Sequence, residues 1–534
     1  MSRIFRAPRE AVGQALAENS AASGERAFLS RPLPEKVDGE VTQSSLHLWQ
    51  VFRARSDAFK GRVAVASPRR EVTFGELFSE AERVAAVLST AGVAEGTVVA
   101  LALGNSVSFV ASFLALCRLS ATVALVSPAY GASGLRAIAH NIEPVAFLVA
   151  KSQGGDAADA LAGDARGEPL VTALTDEVDV VMAARPERAA APPAATIIKF
   201  SSGSTAEPKG IALPATSVLA EAENVAATLA LDPEDRILAV VPLSHSYGFD
   251  LGVLAVLHSG AKLSLHDGFV PRRVFAALEH DTTVFLGVPS MYRALGAARL
   301  GTRVELARVR YLLSCTAPLA PDLIFAFFDR FGAAICQHYG SSETGAVTTH
   351  VPAEILRRPE SVGVPMHNVD VRIADPDGAS LPAGAEGEVV VASEALAHGY
   401  VMGAPAGPGP FRKGEYWTGD NGVRDPDGFL YLRGRKDSMI NVGGLKVAPD
   451  EVRAALERHP AVREAAVLGV QDKGGDEVVY AVVAARQPVA EEELIAFCRA
   501  ELAEYKVPRR IELRAELPRG PTGKLRLRAE DVRG

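Results

Sequence analysis

The segment Phe200-Ser201-Ser202-Gly203-Ser204-Thr205-Ala206-Glu207-Pro208-Lys209-Gly210 gathers four hydroxyl residues, two glycines and one lysine behind a short apolar run. A loop of this composition following a strand can turn backbone N–H groups and hydroxyls toward an anion, while the lysine adds a point charge. Phosphate cradling is one reading; a solvated Ser/Gly loop has the same composition, and the loop alone leaves both open. The Walker form is excluded, because no Gly-Lys-Ser/Thr ends the segment.

Further strings follow in order. They are Gln337-His338-Tyr339-Gly340-Ser341-Ser342-Glu343-Thr344-Gly345, then Tyr416-Trp417-Thr418-Gly419-Asp420, then Gly434-Arg435-Lys436-Asp437-Ser438-Met439-Ile440-Asn441-Val442-Gly443-Gly444, and last Pro521-Thr522-Gly523-Lys524. Together with the first loop, this series resembles the adenylate-forming superfamily: acyl- and aryl-CoA synthetases, peptide-synthetase adenylation domains and firefly luciferase. The matches run from Val72 to Arg526, nearly the whole chain.

The resemblance implies a role for each residue. Ser201, Ser202, Gly203 and Ser204 would hold the phosphates of ATP, with Thr205 and Lys209 acting on them. Tyr339 would lie against adenine with His338 beside it in the nucleotide site, and Ser342 would meet the α-phosphate. Glu343 would hold Mg²⁺, a hard cation that prefers carboxylate oxygen. Asp420 would accept both ribose hydroxyls, as a carboxylate can, and Arg435 would reach the same ribose. Asp437 would be the hinge between two domains, and Gly443 and Gly444 would let the backbone approach the acceptor's pantetheine arm. Lys524 would bridge the acid's carboxylate and the α-phosphate. One departure stands out: Ala206 occupies a position where relatives carry glycine. If that position needs a positive φ, alanine strains the loop by on the order of 1 kcal/mol.

The implied reaction has two steps. A carboxylate resists nucleophilic attack, so its oxygen first attacks the α-phosphorus of ATP, releasing pyrophosphate and leaving an acyl-AMP. Positive field and positioning dominate that step. A thiol then displaces AMP, with coenzyme A as the default acceptor and a carrier-protein phosphopantetheine or an amine as alternatives. A luciferase-like oxygenase on the same scaffold is an alternative of a different class; a nucleotide binder without catalysis is disfavoured by the intact Lys209, Glu343, Asp420, Arg435 and Lys524. In Pro242-Leu243-Ser244-His245-Ser246-Tyr247-Gly248-Phe249-Asp250, His245 is the expected gate of the acid pocket, with Tyr247 and Gly340 in its wall. Amino-acid-activating relatives place an aspartate in this segment, and counting back from Gly260 puts that position on Tyr247 rather than Asp250. The expected acid is therefore aromatic, alicyclic or a modest acyl acid and not an α-amino acid, held in part through the Tyr247 hydroxyl.

Positioning these groups takes a large α/β scaffold. At about 150 residues per domain, 534 residues make three or four domain-sized units. Strand and helix patterns alternate from Glu71 to Val149 and from Arg236 to Ile335, as crossover units on a parallel sheet do. Val98–Cys117 is uncharged and long enough for a bilayer, but Gly104, Asn105 and Ser106 split it into a buried strand and a core helix, so no membrane span is expected. From Ile335 to Arg435 a β-rich subdomain is expected, punctuated by the turns Asp375-Pro376-Asp377-Gly378 and Asp425-Pro426-Asp427-Gly428. The fold class is thus α/β: layered sheets with a β-rich subdomain over residues 1–436, and a small mobile α/β lid over 437–534. The net charge of −8 excludes a dedicated nucleic-acid binder, and four widely spaced cysteines suit a reducing cytosol, so the expected location is cytoplasmic. With ATP, Mg²⁺ and CoA as cofactors, the positive charge must be concentrated at a few residues.

Two variants test the implied two-conformation cycle. Lys524→Ala is expected to abolish acid-dependent pyrophosphate release while sparing thiolysis of a supplied acyl-AMP; equal loss of both half-reactions would overturn the assignment. Asp437→Pro is expected to preserve adenylation and block transfer, and normal overall turnover would remove Asp437 as the hinge.

Overall fold

The computed structural model describes residues 48–162, 169–175, 177–183, 195–201, 209–266, 268–298, 306–402, 409–436, 440–442, 445–471, 477–519, 525, 527 and 531–532. Apolar runs bounded by turn residues form strands, and the amphipathic segments between them form crossover helices. Thr73 and Glu76 close a capping box that starts the helix Phe74–Thr90. Val98–Ala102 is a strand buried along its length, and Ser106 caps the helix Val107–Arg118 by accepting the Phe109 N–H at 3.1 Å. This helix is buried on all sides from Val107 to Cys117, as an apolar helix inside a large core must be. Among the described residues no helix is long and apolar enough to cross a membrane.

Two large sheets form the body. Among the described residues the first has nine strands, in the order 364–365, 345–349, 335–341, 311–314, 284–287, 236–239, 262–265, 63–66 and 71–73. Its central pairs are parallel and its edges antiparallel. The second has eight, in the order 399–402, 209–213, 197–201, 122–125, 98–102, 146–150, 178–182 and 170–173. Strand alternation divides each sheet into two faces. Val99, Leu101, Ile197, Ile237, Leu263 and Leu286 share one hydrophobic core with the helices Phe74–Thr90, Val107–Arg118 and Ala215–Thr228. Val98, Ala100 and Ile198 face outward under Ala132–Ile142 and Gly154–Ala162, while Leu238, Phe285 and Ile335 pack against Pro271–His280, Pro289–Ala297 and Pro321–Phe331. The result is five layers, helix–sheet–helix–sheet–helix, with the site at the carboxyl ends of the parallel strands.

The β-rich subdomain is smaller than its sequence texture predicts. Its five-stranded sheet begins at Val369 and uses 369–374, 386–393, 411–412, 415–424 and 430–435. The segments 335–341, 345–349 and 364–365 extend the nine-stranded sheet, and Gly399–Met402 crosses to pair with Lys209–Leu213. Strand type is legible locally, but partner choice is set by which edge lies nearby. Beyond the hairpin of Ile440–Val442 and Leu445–Val447, the C-terminal region packs Pro449–Glu457 and Glu491–Glu501 on a sheet of Val462–Gln471, Glu477–Ala485 and Arg510–Arg514.

Opposite the site, Asp235 ties the strand beginnings together. It accepts Arg310 Nη1 at 2.7 and 2.6 Å, the Thr283 hydroxyl at 2.6 Å and the Asp232 N–H at 2.9 Å, while Arg310 Nη2 reaches the Leu229 carbonyl at 2.5 Å. Asp235→Ala is expected to lower unfolding free energy by about 3 kcal/mol, because it leaves a half-buried arginine without its partner. Guanidinium unfolding measures this, and activity per folded molecule should not change because the cluster lies at the far ends of the strands.

Candidate active site

The strand Ile335–Ser341 carries the site's central turn, and the turn is closed by its own side chains. Ser341 Oγ accepts the N–H groups of Glu343 and Thr344 at 3.3 and 3.2 Å, and Thr344 Oγ1 accepts the Ser341 N–H at 3.0 Å. Gly345 has φ +68, and a Cβ on Gly340 would sit 2.3 Å from the Gly345 carbonyl oxygen, so both glycines are dictated by the tightness of the turn.

On one side of this turn, Tyr339 donates to Asp420 Oδ2 at 2.6 Å. Arg435 Nε lies 3.5 Å from Asp420 Oδ1, and Arg435 Nη2 donates to the Thr418 carbonyl at 3.2 Å. Asp420 is itself set by the Thr418 hydroxyl, which accepts its N–H at 3.0 Å and donates to the Val389 carbonyl at 2.9 Å. Burial first, then the neighbouring Asp420 charge, holds the Tyr339 phenol well above its usual pKa, so it remains a donor. Three residues from different motifs, Tyr339, Asp420 and Arg435, therefore meet in one cluster.

On the other side, Glu343 Oε1 accepts the Tyr400 hydroxyl at 3.0 Å, and the Tyr400 and Tyr416 hydroxyls are 3.2 Å apart. Lys209 Nζ stands 5.6 Å from the centre of the Tyr400 ring, so the strand crossover of Gly399–Met402 brings Lys209 and Glu343 to the same tyrosine. Among the described residues no group of three or more His, Cys, Asp or Glu could cage a metal. A lone carboxylate fits Mg²⁺ arriving on nucleotide phosphates, since that ion keeps several waters and phosphate oxygens as ligands.

The pocket segment is anchored from behind by Asn105, whose Nδ2 donates to the Val241 carbonyl and whose Oδ1 accepts the Leu243 N–H, each at 2.9 Å. A Cβ on Gly248 would fall 2.4 Å from the Pro242 carbonyl oxygen, which fixes glycine where the chain turns into the π-helix Phe249–Leu254. His245 occupies the N-cap of the short helix Ser246–Gly248, and Ser246 donates to Ser342 at 2.9 Å. That bond joins the pocket segment to the turn carrying Glu343. Thr316, at the end of the strand Tyr311–Ser314, has φ 75, a strained conformation for a β-branched residue beside a site.

Two expectations are corrected here. The Tyr247 hydroxyl does not face a substrate: it is buried and donates to the Leu313 carbonyl at 3.1 Å, leaving only the ring as pocket wall. His338 was expected with the nucleotide residues, but strand alternation turns it away from Tyr339, and it stacks on Tyr247 at 5.8 Å with Nδ1 2.7 Å from Thr349 Oγ1. Asp250 stays out of the pocket, in line with the count that put the aspartate position on Tyr247, because both its oxygens meet Lys199 Nζ at 2.7 Å in the interior. Ser201 is placed as the last residue of its strand, paired with Lys209. Ser202, Gly203, Ser204, Thr205, Asp437, Gly443, Gly444 and Lys524 lie outside the described residues. Tyr400, Ser246 and Asn105 were missed, each a lone polar residue whose spacing predicts no partner.

Comparison with known proteins agrees with this geometry. The model of the AMP-binding enzyme family matches residues 52–401, and that of the AMP-binding enzyme C-terminal domain matches 451–524. The oxalate–CoA ligase of Arabidopsis thaliana is 31% identical over 487 residues, covering 88% of this chain and 94% of that protein. A feruloyl-CoA synthase of Amycolatopsis is 31% identical over 498 residues, covering 91% and 98%. The crystal structure of ATP-bound MatB from Rhodopseudomonas palustris superposes with a TM-score of 0.79 at 26% identity, covering 90% of this chain and 97% of that one. On the family models, the shared architecture and the five motifs in order, this chain belongs to the AMP-binding enzymes.

Proposed function

We propose that the chain is an AMP-forming acid–CoA ligase for a small aromatic, alicyclic or modest acyl carboxylic acid. The hydrogen bond between Ser246 and Ser342 carries this reading, because it sets the nucleotide turn directly against the pocket segment. An acid whose apolar body packs on the Tyr247 ring would then bring its carboxylate beside the Ser342 hydroxyl. The named relatives act on oxalate and ferulate with CoA, which supports a small acid and a CoA acceptor.

In the first step the acid's oxygen attacks the α-phosphorus of ATP, the bond to the bridging oxygen breaks, and pyrophosphate leaves. Tyr339, Asp420 and Arg435 hold the nucleoside end; Ser342 and Lys209 face the phosphates. Mg²⁺ on Glu343 would neutralise phosphate charge, and Tyr400 orients that carboxylate. In the second step the thiol sulfur attacks the acyl carbon, AMP leaves as the C–O bond breaks, and the thiol proton passes to solvent. Lys524 would serve the first step, and residues 437–534 would turn about Asp437 to open the channel beside Gly443 and Gly444. His245 would gate the pocket.

The pocket reading excludes α-amino acids on charge. Asp250, the carboxylate that could pair an ammonium, is already paired with Lys199 and is 2% exposed. Burial pushes His338 down to about 4, so its ring is neutral at working pH. An acid panel assayed for AMP and pyrophosphate, with and without CoA, tests the reading: aromatic or alicyclic monocarboxylic acids should support turnover that requires CoA for thioester formation. Turnover with a single amino acid only would overturn it. The neutral His338 has a second consequence. Its folded-state value lies below the unfolded 6.5, so its share of stability is complete above that pH and declines as pH falls toward about 4. His338→Gln should flatten this acid-side loss, by about 2–3 kcal/mol between those limits, as read by unfolding at a series of pH values.

A further inference from the structure

Three ionisable side chains lie in the interior without being used by the reaction. Lys199 is on the strand leading into the phosphate loop, Asp250 is three residues after Tyr247, and Glu221 is on the helix Ala215–Thr228; they are 2%, 2% and 1% exposed. Lys199 Nζ meets both Asp250 oxygens at 2.7 Å. Glu221 Oε1 accepts the Ala346 N–H at 2.9 Å, immediately after the turn that carries Ser342 and Glu343. Glu221 Oε2 is buried with no hydrogen-bond partner among the described residues, and a Cβ on Gly345 would come within 2.2 Å of it. Each residue thus braces a different wall of the site.

The geometry points to Lys199, Asp250 and Glu221 as one positioning set, which holds the phosphate-loop strand, the acid-pocket segment and the Glu343 turn in a single register. The inference rests on the assignment of Glu343 above. Charge balance fixes the protonation of the set. One ammonium compensates one carboxylate, so a second ionised carboxylate in the same dry interior would be uncompensated. Accordingly, burial and then Asp250 raise Glu221 to about 8, against the opposing pull of Lys199. Among the described residues the elements packed on Glu221 add no other charge to it: the strand Gly345–Thr349 presents the Ala346 N–H, and His258 on the helix Ala255–Ser259 is kept neutral by burial and by Arg55, which lower it to about 4. On its own helix, Glu223 faces Arg55. With Glu221 protonated the set is neutral; its ionisation would repel Asp250 and loosen the turn.

The test uses the full chain with the best acid from the panel. Glu221→Gln keeps an acceptor for the Ala346 N–H and cannot ionise; Glu221→Leu keeps the volume and removes the acceptor. Glu221→Leu is expected to lower kcat for pyrophosphate release about 10- to 100-fold with the acid KM unchanged within about threefold, since the turn and not the pocket is released. Glu221→Gln should retain kcat and lack the decline in activity that ionisation of Glu221 is expected to cause in the wild type above about pH 8. A folded Glu221→Leu protein with wild-type kcat, or an alkaline decline identical in wild type and Glu221→Gln, would overturn the inference. If Glu221→Leu does not fold, the Glu221→Gln pH profile decides. If no acid in the panel is turned over, the substrate reading fails alone, and Mg²⁺-dependent ATP binding by the same variants at pH 7 and pH 9 still tests the positioning set.

Discussion

Polar groups from both sheets can meet only if the strands of those sheets end at the same level, and the helical layer between them enforces this. The helix Val107–Arg118 is enclosed on all sides, and its neighbours present one continuous apolar surface to both sheets. Such a layer is close-packed and has a definite thickness, so shifting one sheet would open voids or force overlaps. The strand ends carrying Ser201, Ser314 and Ser341 inherit their separation from that packing. The ion pair of Lys199 with Asp250 sits inside the same layer. An ion pair there is a poor source of stability, but it has one geometry, whereas apolar contacts tolerate several.

The parts legible in the sequence are those that depend on local rules. The break at Gly104, Asn105 and Ser106 falls between a strand and a capped helix because glycine and a serine cap end and begin elements by their own chemistry. The Tyr339, Asp420 and Arg435 motifs come together because each lies on a strand, and Asp420 and Arg435 are register partners on adjacent strands. What was not legible depends on orientation within an element. Tyr247 and His338 have the right residue types, yet one uses its hydroxyl on a backbone carbonyl and the other faces away from its motif neighbour. The pairing of Gly399–Met402 with Lys209–Leu213 joins segments nearly two hundred residues apart in a way no local pattern encodes. The count from Gly260 takes Asp250 out of the pocket but does not say what it pairs with, and that partner is a lysine in a strand that otherwise reads as apolar.

The acidity of the chain takes on a more specific meaning at the site. A protein of net charge −8 that binds a nucleotide and an organic acid needs local positive field, but two of the residues proposed for the nucleotide site are carboxylates. Asp420 shares its charge with Tyr339 and Arg435, and Glu343 shares its own with Tyr400. Each anion therefore has a donor of its own, which softens the repulsion of an incoming polyanion; the proposed Mg²⁺ and Lys209 would offset the rest.

That arrangement also shapes how ligands are selected. Tyr339 donates to Asp420 Oδ2 while Arg435 flanks Oδ1. If Asp420 takes the ribose diol as proposed, the diol would displace or share these donors, and the net gain would be the difference between two sets of hydrogen bonds rather than their sum. A ligand that offers both hydroxyls in the right geometry replaces what it removes. On that reading a deoxynucleotide would leave an internal donor in place, and its binding would be weaker only by the difference between the hydroxyl's bond and the internal one. On the proposed reading the site would discriminate by exchange, favouring a ligand that replaces each hydrogen bond it displaces.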